Sequence, residues 1–553
     1  MNSHTTAPSN DPLLDETIGA NLEAVVTRFG DREALIDVPT AKKWTYSELN
    51  RDIDRVATGL LGIGIDKGDR IGMWALNCPE WIMVQYATAK IGAILVNVNP
   101  AYRTSELEFV VNQSGMKAIV VGPADNNSDY PALARTVGCK RILIGSDPEP
   151  GELTFASLLE QSVDSDAIVE RAATLVAGDP INIQYTSGTT GFPKGATLSH
   201  YNILNNAYFV GELVGYTEED RLVVPVPFYH CFGMVMATLA TFAHGGSLII
   251  PSRSFNPTAA LQAVNDHHAT SLYGVPTMFI AELALPNFAD FDLSTLRTGI
   301  MAGSPCPVEV MKRVEGEMNM SEVAISYGMT ETSPVSTMTR VDDDLDRRTS
   351  TVGRTMPHLE TSIVDPLTGS IVERGETGEL CTRGYSVMLG YWEEPERTAE
   401  AIDNDGWMHT GDLATMDEAG YVSIVGRIKD MVIRGGENIY PREIEEFLYG
   451  HPDIQDVQVI GVPDERYGEE LMAWIILKPD ADPVTVERVA EFCAGRLAHY
   501  KVPRYIKLVD EFPMTVSGKI RKVEMRQVAA NQLATAGEVG DVPVAALVGV
   551  DVA

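Results

Sequence analysis

The sequence predicts an α/β fold with a large multi-layer N-terminal domain and a smaller α+β C-terminal domain. Short β-rich apolar runs at 69–76 and 91–98 flank a longer segment with helical apolar spacing, which is the pattern of a βαβ unit. Further short apolar runs alternate with helix-like stretches such as NPTAALQAVNDHH. Apolar runs of this kind are typical of strands buried on both faces, so we expect buried sheets covered by helices.

The local sequence changes near Gly426, where alternating charges and a Gly pair precede a helix that opens at Pro441. Strand-like DVQVIGVPD and MAWIILKP and helix-like TVERVAEFCAGRLA then follow, which is enough for a domain of about 100 residues. We therefore place an N-terminal domain at 1–428, a C-terminal domain at 429–530 and a flexible, small-residue-rich tail at 531–553.

Composition and charge narrow the class of protein. The 553 residues carry a formal net charge of −34, which disfavours a general nucleic-acid binder because like charge repels the phosphodiester backbone. The six cysteines have neither CxxC nor Cys/His zinc spacing, which indicates reduced thiols. The first twenty residues predict neither a signal nor a transit peptide, and the apolar runs are too short to span a bilayer. We expect a cytoplasmic protein without a transmembrane segment.

The strongest chemical signal is the loop YTSGTTGFPKG at 185–195, which follows the strand-like INIQ. Its glycines let backbone N–H groups approach an anion, its hydroxyls can donate hydrogen bonds, and Lys194 can neutralise charge. Such a loop suits a polyphosphate, and a plain Gly/Ser/Thr linker is the alternative. The candidate phosphate-binding residues before the lysine are Thr186, Ser187, Gly188, Thr189 and Thr190.

Three common motifs do not account for this loop or for the rest of the chain. Lys194 is followed by Gly195, whereas a Walker lysine is followed by Ser or Thr, so a P-loop kinase or ATPase is disfavoured. Gly62, Gly64 and Gly68 have the wrong last spacing for a dinucleotide fingerprint, and no serine lies in GxSxG. Neither a dehydrogenase nor a serine hydrolase gains support.

With this loop, the sequence resembles the adenylate-forming superfamily of acyl-CoA synthetases, luciferases and peptide-synthetase adenylation domains. Further motifs follow in the family's order along nearly the whole chain: PFYHCFG, SYGMTET, GELCTRG, GWMHTGDL, GRIKDMVIRGGENIYPREIE and PMTVSGKIRK. The segments VNVNPAYR and HYKVPRY look most like the medium-chain fatty acyl-CoA synthetase branch.

The resemblance implies a reaction in two steps that uses ATP, Mg²⁺ and coenzyme A. A carboxylate attacks the α-phosphate of ATP and gives an acyl adenylate, and a thiol, usually that of CoA, then displaces AMP. Both steps need stabilised phosphate charge and reacting groups held in fixed positions.

The resemblance also assigns roles to residues of the later motifs. Glu331 would coordinate Mg²⁺, a hard cation that takes carboxylate oxygens, and Thr330 would contact the α-phosphate. Asp412 would accept both ribose hydroxyls, and Arg427 would hold the nucleotide from the domain junction. The adenine pocket would be formed by Tyr327, Gly328, Gly303, Ser304 and Pro305.

Lys519 resembles the lysine that reaches the α-phosphate and the carboxylate during adenylation. The family's logic places it on a mobile C-terminal domain that swings about a hinge at Lys429. The swing would withdraw Lys519 and bring a CoA-contacting loop toward the thiol tunnel. This loop consists of Gly435, Gly436 and Glu437. An excess of cations at 499–526 also predicts a basic patch for the phosphates of CoA.

His230 in PFYHCFG resembles the gate between the ATP and acyl pockets. No acid lies between Pro227 and Gly233, where amino-acid-activating relatives carry an aspartate, so an apolar acid is favoured. We therefore predict a fatty acid–CoA ligase for medium-chain acids. The alternatives are an aryl- or branched-acid CoA ligase, a fatty acyl-AMP ligase that loads a carrier protein, and a nonreacting nucleotide- or acyl-adenylate-binding regulator.

Overall fold

The computed structural model describes the chain in segments separated by short gaps. The described residues are 1–125, 128–186, 193–304, 306–434, 437–464, 466–479, 481, 484–494, 496–514 and 520–537. They form an α/β structure in which two large sheets and a smaller antiparallel sheet precede a separate C-terminal sheet.

Neighbouring strands in each sheet often come from distant parts of the chain. In spatial order, the first large sheet contains Gly390–Tyr391, Lys194–Ser199, Pro180–Thr186, Ile94–Asn97, Arg70–Trp74, Ala118–Val121, Lys140–Leu143 and Leu153–Thr154. The second contains Arg354–Thr355, Val335–Met338, Glu322–Gly328, Thr298–Ala302, Ser271–Gly274, Arg221–Val223, Ser247–Ile250, Glu33–Asp37 and Lys42–Thr45. The third contains His4–Thr6, Leu359–Val364, Gly378–Gly384, Met408–Met416 and Val422–Arg427. The C-terminal sheet contains Glu437–Ile439, Val432–Arg434, Gly468–Leu477 and Ile454–Asp464, with Tyr505–Leu508 paired to Gly468–Leu477.

Helices cover and separate these sheets. The α-helices are Ile18–Phe29, Tyr46–Gly62, Pro79–Ile91, Thr104–Ser114, Tyr130–Ala134, Phe155–Leu159, Ser165–Ala172, His200–Leu213, Ala240–Ala243, Pro257–His267, Pro276–Leu283, Val308–Glu317, Leu345–Ser350, Pro395–Ala401, Pro441–Leu448, Val486–Cys493 and Lys522–Gly537. A π-helix spans Phe232–Leu239, and 3₁₀ turns span Val38–Thr40, Phe288–Asp290, Thr330–Thr332, Ile428–Asp430 and His499–Lys501.

The predicted βαβ unit at 69–98 is confirmed. Arg70–Trp74 and Ile94–Asn97 pair in parallel, and the helix Pro79–Ile91 connects them. This helix begins with a proline, whose fixed φ suits the first helical position, and it ends at Gly92, whose φ of 71° favours glycine.

Both faces of the large sheets are buried, which explains the near-continuous apolar runs of their strands. In the strand Ile94–Asn97, Leu95 packs into the central core between the two large sheets, whereas Ile94 and Val96 pack on the outer face. This alternation is the two-residue period of a strand. The predicted multi-layer architecture with buried sheets is therefore confirmed.

The C-terminal part has the predicted α+β elements. The helix that opens at Pro441 is confirmed, and the connection from the third sheet to the C-terminal sheet runs through the turn Ile428–Asp430. The predicted flexible tail from 531 differs from the structure, because the helix Lys522–Gly537 continues into it. Burial of Met525 and Ala529 against the C-terminal sheet anchors that helix. Residues 538–553 lie outside the described part of the chain.

A helix that crosses a membrane must be both long and apolar. Within the described ranges, no helix meets both requirements.

Glu282 lies in the helix Pro276–Leu283 and is 1% exposed. Neither of its carboxyl oxygens has a hydrogen-bond partner among the described residues. Burial raises the pKa of Glu282 well above its usual value, so the folded protein holds this carboxyl protonated. The unfolded chain releases the proton above about pH 4.3, so this group destabilises the fold increasingly as pH rises from there toward the folded pKa.

We expect Glu282→Gln to raise the stability of the protein, because the amide carries no proton that unfolding can release. The gain should be about 1–3 kcal/mol at pH 8 and should shrink as pH falls toward 5. Thermal unfolding at pH 5, 6.5 and 8 measures it. Glu309→Gln, at a surface glutamate paired with Lys312, is the matched control and should show no such pH trend. A gain for Glu282→Gln that does not change with pH would contradict the assignment.

Candidate active site

The candidate site lies beyond the carboxyl ends of two neighbouring parallel strands of the second sheet. Thr298–Ala302 is followed by the exposed Gly303 and Ser304, and Glu322–Gly328 carries Tyr327 near its end. Open α/β sheets bind ligands at this edge. The structure thus brings together the described residues of the two predicted adenine walls.

Gly328 allows a close approach of two backbone segments directly after this strand. A Cβ atom at this position would lie 1.8 Å from the carbonyl oxygen of Pro334, which also accepts a hydrogen bond from Met329 N at 2.9 Å. Only glycine fits this approach. The close turn fixes the direction of the segment that carries Thr330 and Glu331.

A carboxylate at the centre of the site joins the second and third sheets. Asp412 on Met408–Met416 lies directly opposite Arg427 on Val422–Arg427. Its Oδ1 accepts a hydrogen bond from Arg427 Nε at 3.0 Å, and its Oδ2 accepts one from the Tyr327 hydroxyl at 2.6 Å. Burial and the Asp412 carboxylate raise the pKa of Tyr327 well above its usual value, so the phenol stays a donor.

A second carboxylate, Glu331, lies at the end of the hairpin whose connection is the glycine-rich loop. Glu331 is 5% exposed, and its Oε1 accepts a hydrogen bond from the Tyr391 hydroxyl at 2.8 Å and lies 3.5 Å from Thr186 Oγ1. Thr186 and Lys194 face each other across the hairpin, and Lys194 Nζ lies 4.7 Å from the centroid of the Tyr391 ring. The two ends of the loop therefore meet beside Glu331.

His230 lies near Thr330, with Cys231 in contact with both residues. Its Nδ1 accepts a hydrogen bond from Phe232 N at 3.2 Å, which fixes the ring against the start of the π-helix Phe232–Leu239. Cys231 Sγ lies 3.6 Å from His230 Nδ1 and 3.9 Å from Thr330 Oγ1. A π-helix is rare, and such turns occur frequently at functional sites.

Sequence reasoning did not single out two residues of this site. Tyr391 orients Glu331 from an edge strand 60 residues away, and no local motif marks it. Glu379 accepts a hydrogen bond from Gly411 N at 2.9 Å and so supports the turn before Asp412. Glu379 lies in the motif GELCTRG, but its contact with Gly411 depends on strand register, which the sequence does not reveal.

Several of the predicted site residues lie outside the described part of the chain. They are Ser187, Gly188, Thr189, Thr190, Pro305, Gly435, Gly436 and Lys519. Glu437 begins the strand Glu437–Ile439, where it is paired with Arg434. Lys429 lies in the turn Ile428–Asp430, and its carbonyl accepts a hydrogen bond from Arg526 at 3.4 Å.

The basic patch expected at 499–526 consists largely of ion pairs. Acidic partners from other elements, or from the same helix, neutralise most of its cations. The pairs are Lys501–Glu443, Arg504–Asp464, Arg521–Glu524, Lys522–Glu445 and Arg526–Asp430. This segment therefore offers less positive charge than its composition indicates.

A cavity of about 1010 Å³ lies within the C-terminal part. Its lining includes Arg434, Arg466, His499 and Arg504. Arg434 and Arg504 are paired with acids, whereas Arg466 is exposed and lies over the Tyr467 ring, with its guanidinium carbon 5.0 Å from the centroid. The cavity therefore presents an exposed guanidinium to a ligand.

Comparison with known proteins agrees with these observations. The family model described as AMP-binding enzyme matches residues 22–392, and the model described as AMP-binding enzyme C-terminal domain matches residues 443–519. YngI of Bacillus subtilis (strain 168), which carries the name of an acyl-CoA synthetase, is 46% identical over 540 residues, covering 93% of this chain and 97% of that protein. The human mitochondrial protein named medium-chain acyl-CoA ligase ACSF2 is 43% identical, covering 93% of this chain and 88% of that protein. The crystal structure of ATP-bound MatB from Rhodopseudomonas palustris has a TM-score of 0.84 at 30% identity, covering 94% of this chain and all of that chain. The chain belongs to the AMP-binding enzyme family, as its ordered motifs predicted.

Proposed function

We propose that this protein is an ATP-dependent acid–CoA ligase that converts a medium-chain fatty acid to its acyl-CoA and releases AMP and pyrophosphate. One observation carries the proposal: Asp412 of the third sheet is hydrogen-bonded to Tyr327 near the end of a strand of the second sheet, and Glu331, which follows that strand, lies beside the ends of the glycine-rich hairpin of the first sheet. The names of ACSF2 and YngI support CoA as the acceptor, and the name of ACSF2 supports a medium-chain acid. The ATP-bound MatB structure supports the nucleotide.

Asp412 is suited to hold the ribose of ATP. A carboxylate has about four lone-pair sites, and Tyr327 and Arg427 use one on each oxygen. Each oxygen therefore keeps a site for one ribose hydroxyl. The two existing bonds fix the orientation of the carboxylate before the nucleotide arrives, which lowers the entropy cost of binding.

Glu331 fits a magnesium ion. Mg²⁺ takes carboxylate oxygens, and the hydrogen bond from the Tyr391 hydroxyl holds the direction of the Glu331 carboxyl group. Glu331 would therefore hold the ion, which would neutralise charge on the phosphates of ATP. Thr330, which follows Gly328 by two residues, would contact the α-phosphate.

In the first step, a carboxylate oxygen of the fatty acid bonds to the α-phosphorus, and the bond to the pyrophosphate oxygen breaks. Lys194 and Lys519 would balance the phosphate charge from two sides. In the second step, the CoA thiol loses its proton, its sulfur bonds to the acyl carbon, and AMP leaves with the electron pair of the carbon–oxygen bond. Positioning and electrostatic stabilisation supply the catalysis in both steps.

The apolar segment that follows His230 supports a fatty acid as the substrate. The π-helix that begins at Phe232 carries the buried Met234, Val235 and Met236, and these side chains belong to the central core. Met is unbranched and adapts its shape to an aliphatic chain. No acid precedes them to hold an ammonium group.

The cavity of the C-terminal part is suited to the phosphates of CoA. Arg466 offers a guanidinium, a group that binds phosphate in a bidentate manner. The Tyr467 ring packs against this guanidinium. We place the nucleotide end of CoA here, with the thiol reaching toward the loop 435–437. The C-terminal domain at 429–530 would then turn about Lys429 between the two steps.

We also propose that the protein works in the cytoplasm. All six cysteines are free in the structure, which fits a reducing compartment.

The proposed activity is tested by pyrophosphate release with Mg²⁺ and ATP across straight-chain acids of increasing length, with benzoate and a branched acid in parallel. We expect a maximum at medium-chain acids and a thioester, followed by mass spectrometry, that depends on CoA. Adenylate without thioester would instead identify an acyl-AMP ligase with a carrier-protein acceptor. A maximum for benzoate or the branched acid would overturn the fatty-acid assignment, and no turnover would favour a nonreacting regulator.

Lys519→Ala should lower adenylate formation by about 100-fold or more, because it removes a cation from the developing phosphate charge. Thioester formation from supplied acyl adenylate should stay within about twofold of the unsubstituted protein. Lys478→Ala, at an exposed lysine of the same domain, is the matched control. Equal loss of both half-reactions would contradict domain alternation.

Arg466→Ala should raise the KM for CoA by about tenfold, since one charge-assisted phosphate contact is lost, and should leave pyrophosphate release in the first half-reaction unchanged. Arg488→Ala serves as the control, because Arg488 belongs to the same domain but pairs with Asp453. The first half-reaction is followed without CoA, and the KM is measured with the complete reaction. An unchanged KM for Arg466→Ala would remove CoA from this cavity.

A further inference from the structure

A second cluster of ligating side chains lies on two adjacent strands of the third sheet, one of which also carries Asp412. Glu379 and Cys381 are two residues apart on the strand Gly378–Gly384, with a register shift between them in the pairing to Met408–Met416, and His409 lies directly opposite Cys381 on that neighbouring strand. One ligand atom from each lies within 4.8 Å of the others. Carboxylate, thiol and imidazole are the three donor types of protein zinc sites.

The distances fit tetrahedral coordination. Cys381 Sγ lies 3.5 Å from His409 Nδ1, and ligand bonds of 2.3 Å to sulfur and about 2.05 Å to nitrogen at a tetrahedral angle give about 3.6 Å. Glu379 Oε2 lies 2.8 Å from the same nitrogen, which is a hydrogen bond, and a bound ion would widen that separation by about 0.5 Å. His409 is half-buried, so a metal has access from the surface.

A fourth group lies where a second coordination shell would be. Asp403 Oδ2 is 3.7 Å from His409 Nε2, the ring nitrogen that faces away from Glu379 and Cys381. Metal-binding histidines usually donate their second N–H to a carboxylate, which fixes the tautomer. A small side-chain movement would bring Asp403 within hydrogen-bond distance of Nε2, and Asp403 would then hold the ring proton there and leave Nδ1 to the ion.

We propose that Glu379, Cys381 and His409 form a site for a zinc-class transition-metal ion and that its occupation inhibits nucleotide binding. The binding step releases the Cys381 proton to solvent, transfers the ring proton of His409 from Nδ1 to Nε2 by way of solvent, and forms a sulfur–metal and a nitrogen–metal bond. Glu379 also accepts a hydrogen bond from Gly411 N at 2.9 Å, and Gly411 precedes Asp412. An ion bound between Glu379 and His409 displaces the Glu379 carboxylate by about 0.5 Å relative to His409, which loosens the hydrogen bond from Gly411 N, and the Asp412 carboxylate shifts from its place opposite Arg427.

The binding step is tested on the full chain without nucleotide or Mg²⁺, by titrating Zn²⁺ against a chromophoric chelator. We expect one tight equivalent, weakened by about tenfold or more in Cys381→Ala and in His409→Gln. Cys139→Ala, at a half-buried cysteine outside this cluster, is the control and should bind as the unsubstituted chain does. Titration of the unsubstituted chain with Co²⁺ should add thiolate-to-cobalt charge-transfer absorption, a readout that needs no variant. Absence of the tight equivalent, absence of this absorption, or equal binding by Cys381→Ala would overturn the site.

The inhibitory effect rests on the proposed ligase function and is tested separately. Zn²⁺ should slow pyrophosphate release at limiting ATP, and a chelator should restore the rate. Cys381→Ala should keep the uninhibited rate and should need about tenfold more Zn²⁺ for the same inhibition. Equal sensitivity of both chains would overturn the coupling, whereas failure of the ligase assay itself would leave the binding titration to decide the site.

Discussion

The hydrogen-bonded pairing of Asp412 with Tyr327 and Arg427 is the interaction on which the candidate site depends. Tyr327 ends a strand of the second sheet, whereas Asp412 and Arg427 lie on adjacent strands of the third sheet. Arg427 also immediately precedes the turn Ile428–Asp430, which leads to the C-terminal sheet. One carboxylate therefore connects the edge of a buried sheet to the segment that joins the domains.

Residues of the first large sheet contact the same site at Glu331. Tyr391 and the hairpin that carries Thr186 and Lys194 belong to the first sheet, and Glu331 follows a strand of the second. Buried hydrogen bonds to a carboxylate are costly to break, since a lone buried charge is strongly unfavourable. These contacts hold the first and second sheets together beside Glu331, where the phosphates of ATP would lie in the proposed function. Gly328 also fixes the segment that carries Glu331, because it lets the backbone approach the Pro334 carbonyl oxygen more closely than any side chain would allow.

Much of this fold could be predicted from the sequence, because local patterns determined it. Apolar runs with turn signals identified the βαβ unit at 69–98, and a proline at the start of a helix identified Pro441–Leu448. The candidate site residues were predicted from short distinctive segments in the same way, and their roles stay predictions. Contacts that depend on strand register were not predictable: Tyr391 reaches Glu331 across 60 residues of chain, and Cys381 meets His409 across two strands. The helical continuation past 531 was missed because its small residues form no apolar stripe, whereas the helix is anchored upstream by the buried Met525 and Ala529.

The negative net charge of the protein opposes the binding of substrates that are themselves anions. At −34 the chain repels ATP and CoA at long range, and most cations at 499–526 are neutralised by acids. Binding must therefore come from short-range contacts, which screening at physiological salt leaves intact while it limits exposed charges to about 8 Å. In the proposed function, the hydroxyls and backbone N–H groups that the sequence predicts for the glycine-rich loop, Lys194 beside Tyr391 and the exposed Arg466 guanidinium would supply these contacts. Because such groups act only at contact distance, an acidic surface is compatible with binding of the two nucleotide substrates of the proposed function.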